Sequence, residues 1–523
     1  MLKRLALTGL LALALLPLVS AQDAGAPPAV WYNLDYDRDG VYGMSVDRAY
    51  EALEGREPAR RIVVAVIDSG VDITHEDLQG QIWTNDDIPG NGVDDDGNGY
   101  VDDAHGWNFI GGADGLNIEF DSFEIAREVA TLRTRAAEKG TASLSPADAE
   151  RLEALEAELA ENRAELEGVL GTLTGIQTVV QASDGTIRNY LGRDGYETAE
   201  LEGIDTPDTE IMQARDVLLF LGANGLTVSE LNDQVDHVRG RLEYGYNPDF
   251  DPRSIVGDNY EDTSERIYGN TDVTGPDASH GTAVAGVIAA VRGNGLGIDG
   301  VASNVLIMPI RTVPNGDERD KDVANAIRYA VDNGAHIINM SFGKGYSPYK
   351  GAVDDAVRYA EENGVLIVHA AGNDGANITT QPNFPNRLLG DGQEAGNWLE
   401  VGASRWDDEL VASFSNYGQS RVDVFAPGAS IYSLNLDDEY GDHDGTSLAA
   451  PLVSGVAAVL MAYFPELDAA DVRRILAESA VRHSQDVPRP GADGETVGFG
   501  ELSITGGIVN AYEAVRAAER ASN

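Results

Sequence analysis

An aspartate, a histidine and a serine, far apart in the chain, each stand where the local sequence would present a reactive side chain. Asp68 follows the apolar run Arg61-Ile62-Val63-Val64-Ala65-Val66-Ile67, and parallel α/β sheets gather functional groups at the carboxyl ends of such strands. Taken alone, an aspartate there is more often a turn residue. His280 opens His280-Gly281-Thr282-Ala283-Val284-Ala285-Gly286, a small-residue helix that must pack closely against its neighbours and leaves the histidine at its N-terminal end. Ser447 lies in Gly445-Thr446-Ser447-Leu448-Ala449-Ala450-Pro451. Proline is tolerated in a helix's first turn, which predicts Ser447 at the helix's N-terminal edge, where free N–H groups can stabilise negative charge. The chemistry these types allow is nucleophilic acyl transfer. A histidine titrating near neutrality can take the serine proton, and a carboxylate can hold the imidazole tautomer and stabilise the imidazolium.

The elements that must position these groups are legible in the texture of the chain. Residues 30–112 and 256–520 alternate short Val/Ile-rich runs with helical stretches and Gly-rich turns, the pattern of a parallel sheet covered by helices. Buried strands are expected at 61–67, 305–310, 336–340 and 365–368, and helices at 324–333 and 352–363, ending near Gly334 and Gly364. Residues 113–255 read instead as a helical, acidic insertion. There Leu152, Leu155, Leu159, Asn162, Leu166, Val169 and Leu173 make a heptad seam with one polar position, started by Ser145-Pro146. Ile125, Val129, Leu132 and Ala136 form a second stripe, so a helical hairpin is expected.

Composition bounds the partners. The 523 residues carry 87 Asp plus Glu against 37 Lys plus Arg, a formal charge of −50, which argues against nucleic acid and anionic membrane surfaces. No cysteine is present, so disulfides, thiol nucleophiles and cysteine-ligated zinc are excluded. Met1 to Ala21 reads as a signal peptide: Lys3 and Arg4, the apolar stretch Leu5 to Leu18, then Val19-Ser20-Ala21. No later segment reads as a membrane span, so an exported, periplasmic or extracellular monomer is expected, divided into 1–21 signal peptide, 22–112 first part of the catalytic domain, 113–255 insertion and 256–520 remainder.

A hard-cation loop stands out in Gly92-Val93-Asp94-Asp95-Asp96-Gly97-Asn98-Gly99-Tyr100-Val101-Asp102-Asp103. Asp94, Asp96 and Asn98 at alternate positions, then the Tyr100 carbonyl, mimic the first half of an EF-hand loop, with Asp102 or Asp103 closing the site. Close carboxylates repel unless a cation sits among them, so structural Ca2+ is expected. Asp35-Tyr36-Asp37-Arg38-Asp39-Gly40 shares the spacing but has Arg38 inside it and no closing acid.

Together, Asp68-Ser69-Gly70, His280-Gly281-Thr282 and Gly445-Thr446-Ser447-x-Ala-x-Pro resemble the signatures of the subtilisin-like serine peptidases, in that family's order Asp, His, Ser. Ala370-Ala371-Gly372-Asn373-Asp374-Gly375 is similar to the segment carrying the family's oxyanion asparagine, here Asn373, beside substrate-flanking Ala371 and Gly372. Asn339-Met340-Ser341-Phe342-Gly343 looks like the strand edge that pairs with the substrate main chain, through Ser341, Phe342 and Gly343. Asp77 matches an aspartate that ligates calcium in many of these enzymes, with Asn294 a candidate partner. The resemblance covers 30–112 and 256–520. It implies a three-layer α/β fold with a mainly parallel sheet, a serine endopeptidase acting on polypeptides, and an Asp68–His280–Ser447 triad. Leu448 stands where many relatives have Met, and Ala283 where many have His. The residues between Ala21 and the first strand look too few for a folded inhibitory prodomain, and Trp31 to Leu53 already resembles the catalytic domain's leading segment. A non-hydrolytic, calcium-dependent binding protein on the same fold is the competing expectation.

Overall fold

Alternate residues of strand β1 (Ile62–Asp68) divide the interior in two: Ile62, Val64 and Val66 join one apolar core, Ala65 and Ile67 the other. A strand buried on both faces needs a layer of helices on each. The computed structural model, which describes residues 27–139, 144–492 and 494–522, supplies both layers. With β1, the main sheet holds β2 (Trp107–Asn108), β3 (Val305–Arg311), β4 (Ile337–Met340), β5 (Leu366–Ala370), β6 (Trp398–Ser404), β7 (Val424–Pro427), β10 (Val481–Arg482) and β11 (Gly507–Ile508). Their order is β10-β11-β7-β6-β5-β4-β1-β3-β2, and every neighbouring pair is parallel except β10 with β11. A separate hairpin is formed by β8 (Ile431–Leu434) and β9 (Tyr440–His443). The predicted α/β architecture is the observed one.

The insertion carries α1 (Glu124–Lys139), α2 (Pro146–Leu191), α3 (Thr209–Ala223) and α4 (Val228–Gly240). On one face of the sheet lie α5 (Ser279–Ala289), which carries His280, and α8 (Thr446–Tyr463), which carries Ser447. The other face holds α6 (Asp320–Asp332) and α7 (Lys350–Glu362), each followed by a left-handed glycine, Gly334 and Gly364, as expected. Trp31, Tyr32, Met44, Val46 and Leu53 pack into the α5/α8 core, so this leading segment is part of the same body. The expected leader, 1–21, lies outside the described residues.

Among the described residues, Thr446–Tyr463 is long and apolar enough to cross a membrane. It is instead the central helix of the fold, buried from Thr446 through Ala462, because a helix apolar all round needs an apolar surrounding and the sheet provides one.

Residues 125–250 form a compact unit of their own. Ser145 caps α2 by accepting from the Asp148 N–H, with Pro146 at its first position. The stripe Ile125, Val129, Leu132 and Ala136 is buried, as are Leu155 and Leu159, and Arg133–Glu156 and Arg151–Glu128 ion pairs join α1 to α2. The heptad reading fails farther on: Val169 is 41% exposed. The buried face of α2 resumes at Ile176, Val180 and Ile187, where α3 and α4 cover it with Leu218, Leu221 and Leu231.

Candidate active site and cation loops

Asp68 ends β1 in register with Arg311 of β3, and its side chain is buried. The α5 N-terminus reaches it because Gly281 has no side chain: a Cβ there would stand 2.0 Å from the Gly70 carbonyl oxygen and 3.2 Å from Asp68 Cβ. That approach brings His280 Nδ1 to 2.7 Å from Asp68 Oδ1, which also accepts from the Ser69 N–H at 2.7 Å. Burial pulls the His280 pKa down, but the Asp68 carboxylate, and after it Asp277, outweigh burial and hold it above the ordinary histidine value.

Ser447 lies in the first turn of α8, as expected, but Pro451 falls beyond that turn. Proline has no N–H to return to the carbonyl four residues back, which here is Ser447's own. The Ser341 hydroxyl donates to that carbonyl instead, at 2.8 Å, and itself accepts from Asn339 Nδ2 at 2.9 Å. Asn339 Oδ1 in turn accepts from Ser454 Oγ of α8 at 2.9 Å. The defect in the helix ladder thus becomes the tie between Ser447 and the end of β4.

Asn373 follows β5 on an exposed turn. Its Oδ1 accepts from both the N–H and the hydroxyl of Thr446, each at 2.9 Å, which leaves Nδ2 as the free end of the amide. Gly445, at φ +152°, locates that end: a Cβ there would lie 2.6 Å from Ser447 Oγ and 3.4 Å from Asn373 Nδ2. Hydroxyl and amide therefore flank one point.

The segments on either side are braced. Strand pairing of β1 with β4, and of β4 with β5, stops at Met340, so Ser341, Phe342 and Gly343 run on past the sheet. The Ala371 carbonyl accepts from Asn416 Nδ2 at 2.9 Å, and Asn416 Oδ1 accepts from the Asp374 and Ala376 N–H groups, fixing the Ala371-Gly372 turn. Asn416 was not foreseen; it lies 43 residues beyond Asn373 with no motif around it.

The acidic loop differs in detail from its sequence reading. Asp87, Asp96 and Asp103 bring carboxylate oxygens within 4.8 Å of one another. Asp87 was missed because it precedes the motif. Asp94 instead accepts from the N–H groups of Gly97, Asn98 and Gly99, and Asp102 from those of Asn91 and Gly92, so these two shape the loop. Asn98 Nδ2 bridges Asp96 and Asp103, and the Tyr100 ring packs against Trp107, Phe109 and Tyr329. Burial, then neighbouring acid charge, holds the Asp96 and Asp103 pKa values above the ordinary carboxylate value. Burial acts the same way on Asp87, but three backbone N–H donors overcome it. Among the described residues no Lys or Arg pairs with any of the three.

Asp77 is fully buried; its carboxylate accepts from Asn294 Nδ2 at 2.7 Å and the Ile298 N–H at 3.2 Å. Asn33, also buried, donates to the Asp299 carbonyl at 2.8 Å and keeps Oδ1 without a hydrogen-bond partner, an oxygen that no sequence motif marks. The run 35–40 is no such site: Asp35 caps a short helix and pairs with Arg48 at 3.0 Å.

A parallel sheet whose strand ends carry an Asp–His contact, with a helix-edge serine and an amide flanking one point, is a framework that acid–base–nucleophile chemistry can use. The comparison with known proteins gives that framework its family: the subtilase profile matches residues 59–500, and the chain belongs to the subtilase family. It is 37% identical over 240 residues to a thermophilic serine proteinase of Bacillus sp. (strain AK1), covering 46% of this chain and 53% of that protein. It is 36% identical over 265 residues to halolysin of Haloferax mediterranei, covering 50% and 46%. Against thermitase of Thermoactinomyces vulgaris it is 36% identical over 214 residues, covering 39% of this chain and 71% of thermitase. The chain thus spans about half the length of the first two.

Proposed function

We propose that this protein is an exported, calcium-stabilised serine endopeptidase that cleaves polypeptides through an acyl-enzyme. The observations that carry the reading are the His280–Asp68 contact of 2.7 Å and a point flanked by Ser447 Oγ and Asn373 Nδ2. In this reading an extended peptide continues the sheet along Ser341 to Gly343, with Ala371 and Gly372 on its other flank. His280 takes the Ser447 proton as Oγ attacks the scissile carbonyl, then returns it to the leaving amine. Asp68 holds Nδ1–H and stabilises the imidazolium. Asn373 Nδ2 and the Ser447 N–H receive the oxyanion, each such donor being worth on the order of 2.7–4 kcal/mol, a figure measured in a subtilisin.

The donor set fits calcium, which binds through oxygen ligands. Asp87, Asp96 and Asp103 would hold one ion, and Asp77 would help hold a second, each supplying structural charge balance and no reacting group. Export rests on the pattern of residues 1–21. The catalytic domain is assigned to 22–112 and 256–520, with 113–255 as the insertion between Asp68 and His280.

An active-site-directed fluorophosphonate tests the reading. Wild type should be labelled and should cleave casein, whereas Ser447→Ala should lose both and keep its fold. A wild-type protein that calcium keeps folded but the probe leaves unlabelled would be the non-hydrolytic binding protein.

A further inference from the structure

The chain leaves the sheet-bearing unit for the helical one after Glu124 and re-enters it at Asp251. Both crossings are held by one connection, residues 315–320 between β3 and α6. The Asp121 N–H donates to the Asn315 carbonyl at 3.2 Å, and the Glu124 N–H to Asp317 Oδ2 at 2.8 Å. Arg319, almost fully buried, pairs with Asp121 on the outgoing chain and with Asp251 on the returning one, each at 2.7 Å. These contacts make a fixed root for the insertion.

Lys344 joins that root to the edge at Ser341 to Gly343. Its backbone pairs with residue 384, Lys344 N–H to the Phe384 carbonyl and Phe384 N–H to the Lys344 carbonyl, both at 2.9 Å. Its side chain runs to the root, where the ammonium, 1% exposed, meets Glu124 Oε2, the Glu318 carbonyl and Asp320 Oδ1, each at 2.8 Å. An ammonium has three donors, so these three partners occupy all of them. Glu124 and Asp320 are themselves buried, and a cation between two buried carboxylates cannot shift without leaving charge unpaired. The ladder that holds β4 stops at Met340. Beyond it the edge is fastened at one end by Ser341 to the Ser447 carbonyl and at the other by Lys344. We propose that Lys344 is a positioning residue that holds Ser341 to Gly343 in line for a peptide by tying them to the insertion root at Glu124, an inference that rests on the peptidase reading above. Lys344 acts through the backbone and touches no reacting group, so its loss should weaken substrate binding more than the chemical step.

The test measures kcat and KM on a tetrapeptide p-nitroanilide for wild type, Lys344→Met, Lys344→Arg and Glu124→Gln, with each active fraction counted by fluorophosphonate. In Lys344→Met, KM should rise by about 10-fold or more, since a misplacement of about 1 Å can cost about 100-fold. The fall in kcat should be smaller, because pairing along the edge serves ground state and transition state alike. Lys344→Arg keeps a cation at the root and should recover part of the loss. Glu124→Gln keeps an acceptor without its charge and should raise KM by a smaller factor. A residue that only stabilised the fold would lower the active fraction and leave KM at its wild-type value, and that result overturns the assignment. A raised KM in Lys344→Met beside a wild-type KM in Glu124→Gln also overturns it, because the tie would then not run through the insertion root. If Lys344→Met does not fold, the KM of Glu124→Gln decides alone. Labelling separates the two readings: labelled variants with wild-type KM overturn the positioning role alone, and unlabelled wild type overturns the peptidase reading together with it.

Discussion

Two groups of carboxylates in the sheet-bearing domain solve the same electrostatic problem differently. Asp258, Asp322 and Glu265 surround basic side chains: Lys321, fully buried, donates to Asp258 at 2.6 Å and Glu265 at 2.8 Å, and Arg253 bonds both Asp258 and Asp322. Burial would raise the Asp258 pKa, but Arg253 and Lys321 bring it below the ordinary value. Asp87, Asp96 and Asp103, of which Asp96 is exposed, bring carboxylate oxygens within 4.8 Å of one another and have no basic partner among the described residues, and two of them sit above the ordinary value. Buried charges need partners. The first group carries its own; under the proposed calcium reading the second takes its partner from solution.

The sharpest way to break this comparison is to remove the internal cation. Lys321→Met leaves Asp258 buried with half its charge balance gone, and losing one partner of a buried pair costs about 3–5 kcal/mol. Denaturant unfolding in saturating calcium should show that loss, and calcium should not restore it. A change within about 0.5 kcal/mol, as for an ordinary surface substitution, would mean that Arg253 alone balances the cluster.

The second effect is the converse. An ion that binds only the folded chain adds about 2.7 kcal/mol at a hundredfold excess over Kd. Excess chelator should therefore lower Tm in wild type, and Asp87→Asn should reduce the calcium-dependent part of Tm while leaving the Lys321 cluster untouched. An unchanged wild-type Tm in chelator would remove the distinction between the two groups.

How much of this could be read in advance follows from how local each cause is. The contact of Asp68 with His280 was legible because Gly281, which lets the helix approach, is adjacent in sequence, and the helix-edge place of Ser447 because the residues around it start that helix. The α/β fold was legible in its buried strands for the same reason. The cation loop was half legible: the acid spacing is local, but Asp94 and Asp102 are taken up by backbone N–H groups, and Asp87 enters from upstream. Asn416 acts across the fold, through a carbonyl contact that no nearby residue encodes. The α2 seam held only where a neighbouring helix exists to cover it. Periodicity reports which face could be buried, whereas the length of the partner decides how much is.

Asp277 offers the smallest and most specific refinement, since it is a carboxylate that makes no direct ion pair with a Lys or Arg among the described residues, although its charge also acts on Arg311. It accepts from the Ser279 N–H and hydroxyl at 3.1 and 2.6 Å and from Asn315 Nδ2 at 3.4 Å, and its charge acts on His280. In the proposed mechanism His280 must be neutral to take the Ser447 proton, so a raised pKa means that activity fades at a higher pH on acidification. Asp277→Asn removes one source of that rise and leaves Asp68 in contact, so the acid limb of kcat/KM should move to lower pH with the plateau unchanged. Partly exposed charge pairs are worth about 1 kcal/mol or less, which bounds the gain on the limb at under about tenfold. The shift should shrink in high salt, because a carboxylate acting through space is screened and a direct bond is much less so. An acid limb that stays in place, or moves upward, would mean that Asp68 alone sets the charge state of His280.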